Sequence, residues 1–196
     1  MSHHVYNTEG FVLESASHGE ANKTYSLFTR ELGRIRASAQ GVRLLKSKLR
    51  FSLQDYSFVK ISLVRGKEFW RITNAGVIKP VHTDFQTDKF ALRIVSRIFL
   101  LLRRLVPEEE KNEELFEMLS GSLVFLSEHK LSLDESTSAE TILVIRVLSI
   151  LGYMGDTPKL ARFSRDPLSM DEIAAMKPVR AEAIREINAA LRETQL

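Results

Sequence analysis

One stretch of this chain carries positive charge without any negative charge to balance it. Between Leu32 and Gln54 there are six cationic side chains and no Asp or Glu; they are Arg34, Arg36, Arg43, Lys46, Lys48 and Arg50. Cations at this density attract polyanions, and nucleic acid is the commonest polyanion inside cells. The stretch therefore predicts contacts with phosphates, and a merely solvated surface is the alternative interpretation.

Other residues in and near this stretch suit contacts with a nucleic-acid backbone. Gly41 allows the chain to bend and to approach a ligand closely. Ser47, between two lysines, can donate a hydrogen bond to a phosphate oxygen. Arg65 and Lys67, in a predicted hairpin turn, would form a second and weaker contact.

Aromatic side chains are interleaved with these cations. Proteins that bind single strands pair a basic groove with rings on which the bases stack. Phe51, Phe58 and Phe69 follow the apolar phase of the predicted strands, so we expect them in the core. Trp70 and Tyr56 lie outside that phase and are the better candidates for an exposed ring.

Signals for catalysis are weak. The five histidines are scattered along the chain; they are His3, His4, His18, His82 and His129. No predicted helix face carries a metal-binding pair of them, and the sequence contains no GxSxG, Walker or GxGxxG motif. The absence of cysteine excludes disulfides, thiolate zinc sites and cysteine nucleophiles. We therefore expect no catalytic residue, no metal, no cofactor and no enzymatic activity.

The charge is unevenly distributed along the chain. Residues 1–80 contain 13 Lys and Arg against 6 Asp and Glu, a net charge of +7, whereas residues 81–196 have a net charge of −4. The contacts with a polyanion are therefore expected in the first half of the chain. The longest apolar stretch, Ile94–Val106, is too short for a membrane span and contains arginines. With no secretion signal and no cysteine, we expect a cytoplasmic protein without a membrane partner.

Hydrophobic patterning predicts two domains of different kinds. Period-two alternation over the first eighty residues predicts five strands, at Gly10–Leu13, Lys23–Thr29, Arg34–Gln40, Gln54–Val64 and Phe69–Ile78. Ser15–Asn22 is predicted to be a turn, and Arg34 and Arg36 are predicted to project from one face of the third strand. Five short, mostly antiparallel strands suit a small barrel of the OB type.

After Pro80 the apolar spacing becomes helical. The predicted helices span about Asp84–Val106, Asn112–His129 and Ala139–Leu151, followed by a short helix capped by Ser169 and a last helix from Pro178 to Arg192. Pro107 and the acidic residues Glu108–Glu110 are interpreted as the charged start of the second helix, and Ser132–Ser138 as a polar linker. We thus predict an α+β two-domain protein, with an OB-fold five-stranded β-barrel over residues 1–80 and an all-α helical bundle over residues 81–196.

Three arginines flank the apolar stripe of the first predicted helix; they are Arg97, Arg103 and Arg104. They are either a solvated face or part of a groove in which an acidic peptide with hydrophobic tips could dock.

The basic stretch also resembles a known family. The run Phe28–Ser57, FTRELGRIRASAQGVRLLKSKLRFSLQDYS, is similar to the N-terminal pattern of the bacterial RecO recombination-mediator family. The similarity extends upstream through Thr8–Leu13 and Gly19–Asn22, and downstream through Arg65–Lys67. Further on, LSILGY at Leu148–Tyr153 resembles the LLGY of the family.

This resemblance implies an N-terminal OB fold and a C-terminal helical domain in a bacterial, nucleoid-associated protein. It implies binding to single- and double-stranded DNA and annealing of complementary strands. It also implies that the protein acts together with RecR to help RecA replace single-strand-binding protein on DNA. The helical domain would receive the acidic C-terminal tail of single-strand-binding protein.

Two positions depart from the family pattern. Many members carry a four-cysteine zinc module after LLGY, whereas Gly155–Arg165 contains neither cysteine nor histidine, so zinc binding there is excluded. We expect a variant in which this module is reduced to a loop. Asp55 replaces a proline of the family. Two other functions stay open: a helical adaptor for protein partners, and an RNA-binding OB module.

Overall fold

The computed structural model describes residues 4–67, 69–79, 88–155 and 158–193. The chain forms two compact units, the first comprising Met1–Asp84 and Val106–Phe116, the second Phe85–Leu105 and Glu117–Leu196. The predicted boundary near residue 80 and the predicted helix start at Asp84 lie outside the described residues, as do His3 and His82.

The first unit contains a closed five-stranded barrel. Its strands are β1 (Val5–His18), β2 (Asn22–Thr29), β3 (Gly33–Ala39), β4 (Phe58–Arg65) and β5 (Trp70–Lys79). They are ordered β1-β2-β3-β5-β4, with β4 returning to β1, and the β3–β5 pair is parallel while the others are antiparallel. The predicted OB-type barrel is confirmed.

Alternation along the strands fills the barrel. In β3, Ile35, Ala37 and Ala39 are buried, and the residues between them face outward as predicted. Tyr25 and Leu27 of β2 lie opposite Ala37 and Ile35 in the register. The small alanines leave room for the Tyr25 ring at this end of the barrel, where the core also includes Val42 and Leu53.

Strand β1 is longer than its apolar residues predict. It pairs with β4 over Val5–Phe11 and with β2 over Gly10–His18, and its register shifts between Val12 and Glu14. The prediction of a turn over Ser15–Asn22 is therefore wrong for Ser15–His18, because backbone pairing with β2 continues there although Ala16 is the only apolar residue of these four.

The chain between β3 and β4, residues 40–57, is called the connecting segment here. It contains a short helix, α1 (Leu49–Ser52), and β4 begins at Phe58 rather than at the predicted Gln54. Tyr56 has a φ of 66°, and its N–H donates to the Val12 carbonyl while the Val12 N–H donates to Ser57. The left-handed turn at Tyr56 therefore delays the strand.

The second unit is helical. Its helices are α2 (Lys89–Leu105), most of α3 (Glu113–Glu128), α4 (Leu133–Ile150), α5 (Ala161–Arg165), α6 (Met170–Met176) and α7 (Arg180–Glu193), with a 3-10 turn at Lys177–Val179. Helix α4 is central, because it contacts α2, α5, α6 and α7. No helix that the structure describes has the length and apolar character of a membrane span.

The starts of two helices are set by capping side chains, even where the first residues of the helix are polar. Ser169 caps α6 as predicted, accepting a hydrogen bond from the Glu172 N–H. The interpretation of Ser132–Ser138 as a linker is wrong, because Ser132 and Glu135 form a reciprocal capping box that begins α4 at Leu133. The polar residues are the first two turns of the helix.

The segment Val106–Phe116 belongs to the barrel unit. Helix α3 begins at Glu113, and the Asn112 side chain accepts a hydrogen bond from the Leu115 N–H. Glu108–Glu110 precede the helix, so their interpretation as its charged start is wrong. Phe116 is buried against Phe11 and Phe28, with ring centroids 5.2 and 5.9 Å away.

This segment makes Gly33 a critical position. Gly33 has a φ of 65°, and a Cβ built there would lie 1.9 Å from the Glu110 carbonyl oxygen. Gly19 has a φ of 63° but open space around it, so it provides a matched control. We expect Gly33→Ala to lower the free energy of unfolding by at least about 3 kcal/mol, against about 1 kcal/mol for Gly19→Ala. Urea unfolding measures both, and equal losses would contradict the packing of Glu110 on Gly33.

Candidate nucleic-acid interface

Two of the predicted phosphate-binding arginines are paired with one carboxylate. Arg34 donates to the Val106 carbonyl at 2.7 Å and to Glu108 Oε1 at 3.2 Å. Arg36 donates to the same oxygen at 2.7 Å. The two arginines project from one face of β3 as predicted, and they hold Glu108 on the barrel. The Arg34 side chain is only 15% exposed, which leaves little of it for a phosphate.

A third predicted contact is paired in the same way. Arg65 donates a hydrogen bond to Glu109 and lies over the Trp70 ring, 4.8 Å from its centroid. The Trp70 indole N–H donates to the same carboxylate at 3.1 Å. The hydrogen bond from Arg65 lowers the pKa of Glu109, with a smaller contribution from Trp70. Trp70 is buried, so its prediction as an exposed stacking ring is wrong.

The connecting segment carries the cations that remain open. Arg43, Lys46, Lys48 and Arg50 are all exposed, and we call them the open cations. Arg43 donates one hydrogen bond to the Gly19 carbonyl at 2.8 Å. Within the described part of the chain, no carboxylate pairs with any of the four. Ser47 is half-buried among them, and Lys67 is exposed in the β4–β5 turn.

Backbone hydrogen bonds hold this segment against the β1–β2 turn. Gly41 has a φ of 64°, and its N–H donates to the Asn22 side chain at 2.9 Å. The Arg43 N–H donates to the Ala21 carbonyl at 3.0 Å. The Ser47 N–H donates to Leu44, which continues the segment as successive turns. The open cations are thus displayed on a fixed backbone, which reduces the entropy that a ligand must remove on binding.

The exposed aromatic ring is not one of the two predicted. Phe51 is 71% exposed and Phe69 is 43% exposed, so their assignment to the core is wrong. Leu53, directly after α1, is buried in the core, whereas Phe51 within α1 lies on the outer side. Phe58 is half-buried and stacks on Phe11 at 4.7 Å, and Tyr56 is half-buried in its turn.

Two adjoining clefts open at this end of the barrel. The first, of about 320 Å³, is lined by Lys23, Tyr25, Val42, Arg43, Arg50 and Leu53. The second, of about 550 Å³, is lined by Ser15, Lys23, Arg50, Phe51, Leu53, Gln54 and Asp55. Their sizes are typical of sites for small ligands.

Lys23 contributes to both clefts and is absent from the predicted phosphate contacts. It lies in β2 opposite Ala39, and its ammonium donates to the Ser15 hydroxyl at 3.1 Å. The signal for it was present in the sequence, because period two places Lys23 on the same inward face as Tyr25 and Leu27. A lysine on an inward face can only lie at the mouth of a barrel.

The hydroxyl of Tyr25 is an unusual feature of the first cleft. It is buried and has no hydrogen-bond partner among the described residues. Burial, with a smaller contribution from the negative charge of Asp55, raises the pKa of Tyr25 to about 12. The hydroxyl therefore stays protonated and remains a hydrogen-bond donor at neutral pH.

The helical unit contains a separate cleft of about 280 Å³ between α2, α4 and α7. Of the three arginines predicted to bind a partner, only Arg97 lines it, together with Arg93. Arg97 donates to Glu140 Oε1 at 2.7 Å, and Arg93 lies 3.7 Å from Glu140 Oε2. Its apolar wall consists of Val144, Ile184 and Ile187. Arg103 is half-buried and Arg104 is exposed elsewhere on α2.

Comparison with known proteins agrees with both units. A family model described as "Recombination protein O N terminal" matches residues 1–81, and one described as "Recombination protein O C terminal" matches residues 86–162. The chain belongs to the RecO family. The RecO matches cover the barrel and the basic connecting segment, while α6 and α7 lie beyond them.

Curated RecO relatives are similar over most of this chain. A protein of Thermodesulfovibrio yellowstonii is 32% identical over 77% of this chain and 59% of its own length. One of Alkaliphilus metalliredigens is 29% identical over 80% of this chain and 61% of its own length. One of Bifidobacterium adolescentis is 31% identical, with the same coverage. Each is named "DNA repair protein RecO", and the chain spans about 60% of the length of these relatives.

The raised pKa of Tyr25 predicts a pH dependence of stability. Because the folded chain holds this proton more tightly, the stabilisation is complete below the ordinary tyrosine pKa of 10 and is lost as pH rises toward 12. In urea unfolding between these pH values, the wild type should lose stability with a steeper slope than Tyr25→Phe. The excess slope is at most about 1.4 kcal/mol per pH unit, for one proton. Parallel slopes for the two proteins would contradict the buried hydroxyl.

Proposed function

We propose that this chain is a DNA-binding protein of DNA repair that acts as a recombination mediator of the RecO type, by recognition rather than catalysis. The observation that carries the proposal is the fixed connecting segment in a chain of the RecO family. Its open cations are exposed and have no carboxylate partner among the residues that the structure describes. Such a row of cations suits successive phosphates of a single strand or a duplex.

Annealing follows from the same surface. Complementary strands repel each other through their phosphates, and cations that neutralise this charge allow two strands to approach while their bases remain free to pair. Together with RecR, the protein would help RecA to replace single-strand-binding protein on DNA. These partners are proposed on the family resemblance, and the open cations support the DNA-binding step on which they depend.

We rank seven of the nine predicted DNA contacts by their exposure and by their pairing with carboxylates. Lys46 and Lys48 are expected to contribute most, because they are exposed and without a carboxylate partner among the described residues. Arg34, Arg36 and Arg65 are expected to contribute less, because each is held by Glu108 or Glu109. Ser47 and Lys67 stay as predicted secondary contacts.

The salt dependence of DNA binding tests this ranking. Replacing Lys46 and Lys48 together with alanine should weaken binding and make the slope of log K against log salt shallower by about 1.4 on a single strand, since two phosphate contacts are lost. Fluorescence anisotropy with a labelled oligonucleotide measures both quantities. Arg36→Ala is the matched control, and it should change the slope less because Arg36 is already paired with Glu108.

Two results would count against the proposal. An unchanged affinity and slope in the double variant would remove the connecting segment from the DNA contact. Competition with an RNA oligonucleotide of the same sequence examines the RNA-binding alternative, which stronger binding of RNA than of DNA would favour.

A second candidate function belongs to the helical unit. Its cleft combines two arginines with an apolar wall, which suits the acidic and hydrophobic C-terminal tail of single-strand-binding protein. Arg97 is 59% exposed while its partner Glu140 is 17% exposed, so the guanidinium can also face a ligand carboxylate.

Peptide binding tests this docking. Arg97→Ala should weaken binding of a labelled tail peptide by several-fold, because a charge-assisted hydrogen bond is lost. Arg165→Ala, an exposed arginine of α5, is the control and should leave the peptide affinity unchanged. A protein that binds the peptide but no DNA would favour the adaptor function.

A further inference from the structure

We propose that the two adjoining clefts at the barrel end form a site for one unpaired nucleotide of a nucleic-acid single strand, with its phosphate in the first cleft and its base against Phe51. This inference rests on the proposed function and gives the interface a preference for single strands over duplex.

The first cleft has the chemistry of a phosphate site. Lys23, Arg43 and Arg50 surround it, so that three cations meet in about 320 Å³. Tyr25 also lines this cleft and is only 2% exposed. Its buried hydroxyl is a fourth donor and has no hydrogen-bond partner among the described residues. A buried donor without a partner loses the hydrogen bonds it would make in water, and a phosphate oxygen would restore one of them.

The second cleft has the chemistry of a base site. Phe51 presents a ring that is 71% exposed, although burying such a ring is favourable. Gln54 and Asp55 line the same cleft and offer polar groups for the edge of a base. The Asp55 Oδ1 atom is buried without a hydrogen-bond partner among the described residues, so it is ready to accept an N–H. Its negative charge disfavours a phosphate here and favours a neutral base.

The clefts adjoin in a way that suits a nucleotide. Lys23, Arg50 and Leu53 line both of them, so a phosphate in one lies next to a base in the other. A base within a duplex is stacked on its neighbours and paired, and its face is not available to Phe51. The open cations outside the clefts, Lys46 and Lys48, can contact the phosphates of either form of DNA. Single-strand preference should therefore come from the clefts alone.

The ratio of single-strand to duplex affinity is the measurement that tests this site. Phe51→Ala should weaken binding of a short single strand by about 5- to 150-fold, the range for loss of one stacked base, and change duplex binding by less than about twofold. Tyr25→Phe should weaken single-strand binding by about 3- to 10-fold. Leu45→Ala is the matched control, since Leu45 is an 87% exposed apolar residue of the same segment that lines neither cleft.

Oligonucleotides that contain abasic positions separate the base from its phosphate. The wild type should bind a fully abasic strand at least as weakly as Phe51→Ala binds the normal strand, because the abasic strand lacks the base edge as well as the stacked ring. Phe51→Ala should distinguish the two strands less than the wild type does, since only the contacts of Gln54 and Asp55 to the base edge remain. Phe51→Trp should keep the single-strand affinity, and its added fluorescence should be quenched by the normal strand but not by the abasic one. Circular dichroism of each variant confirms that it is folded.

The outcomes distinguish this inference from the proposed function. If the wild type binds no DNA, both are overturned. If it binds DNA and Phe51→Ala weakens single strands and duplex equally, or neither, the nucleotide site is overturned and the phosphate-binding surface stands. If Phe51→Ala retains full single-strand binding but loses binding of the tail peptide, Phe51 is a protein contact and the nucleotide site is likewise overturned.

Discussion

The pairing of Glu108 and Glu109 with barrel arginines is the interaction on which the rest of this unit depends. It fixes the segment Val106–Phe116 against β3 and β5, requires a glycine at position 33, and engages Arg34, Arg36 and Arg65. The two carboxylates occupy the guanidinium groups as phosphates would, because both are oxygen anions that accept charge-assisted hydrogen bonds. The positive charge of these three arginines is thereby largely balanced by the two carboxylates in the folded chain. Of the cations predicted to contact phosphates, the ones that Glu108 and Glu109 do not engage are the four open cations of the connecting segment and Lys67.

The connecting segment has no apolar pattern of its own, yet it is well fixed. Its start is tied to the β1–β2 turn through Gly41 and Arg43, and its end to β1 through Tyr56 and Ser57. Val42 and Leu53 enter the barrel core between these points. The side chains that are consequently held outward include the open cations and Phe51. A loop anchored at both ends and in its middle presents charge without the entropy cost of ordering a flexible tail.

The sequence patterns predicted correctly those features that depend on residues close together in the chain. The alternation in β3, the three- and four-residue spacing in α2 and the Ser169 cap all involve residues close in sequence. The pairing of Arg34 with Glu108 joins residues 74 positions apart, and no local pattern distinguishes it from a helix start rich in Glu. The predictions for Phe51 and Trp70, one buried and the other exposed, are reversed in the structure for a related reason. The exposure of a single residue depends on which neighbours cover it, and Arg65 and Glu109 cover Trp70. Lys23 was predictable from its strand phase, but only once the barrel end was known.

The placement of Asp55 in one cleft with Lys23 and Arg50 explains why the clefts suit a nucleotide better than a free anion. A phosphate in the first cleft would be attracted by Lys23, Arg43 and Arg50, and repelled by the carboxylate of Asp55 in the adjoining cleft. A ligand that places its anionic part among the cations and a neutral N–H group beside Asp55 satisfies both charges at once. Inorganic phosphate supplies only the first of these groups, whereas a nucleotide supplies both, with a flat ring between Phe51 and solvent. Cations alone would bind any polyanion, and the adjacent carboxylate and ring are what make such a surface selective for an unpaired base.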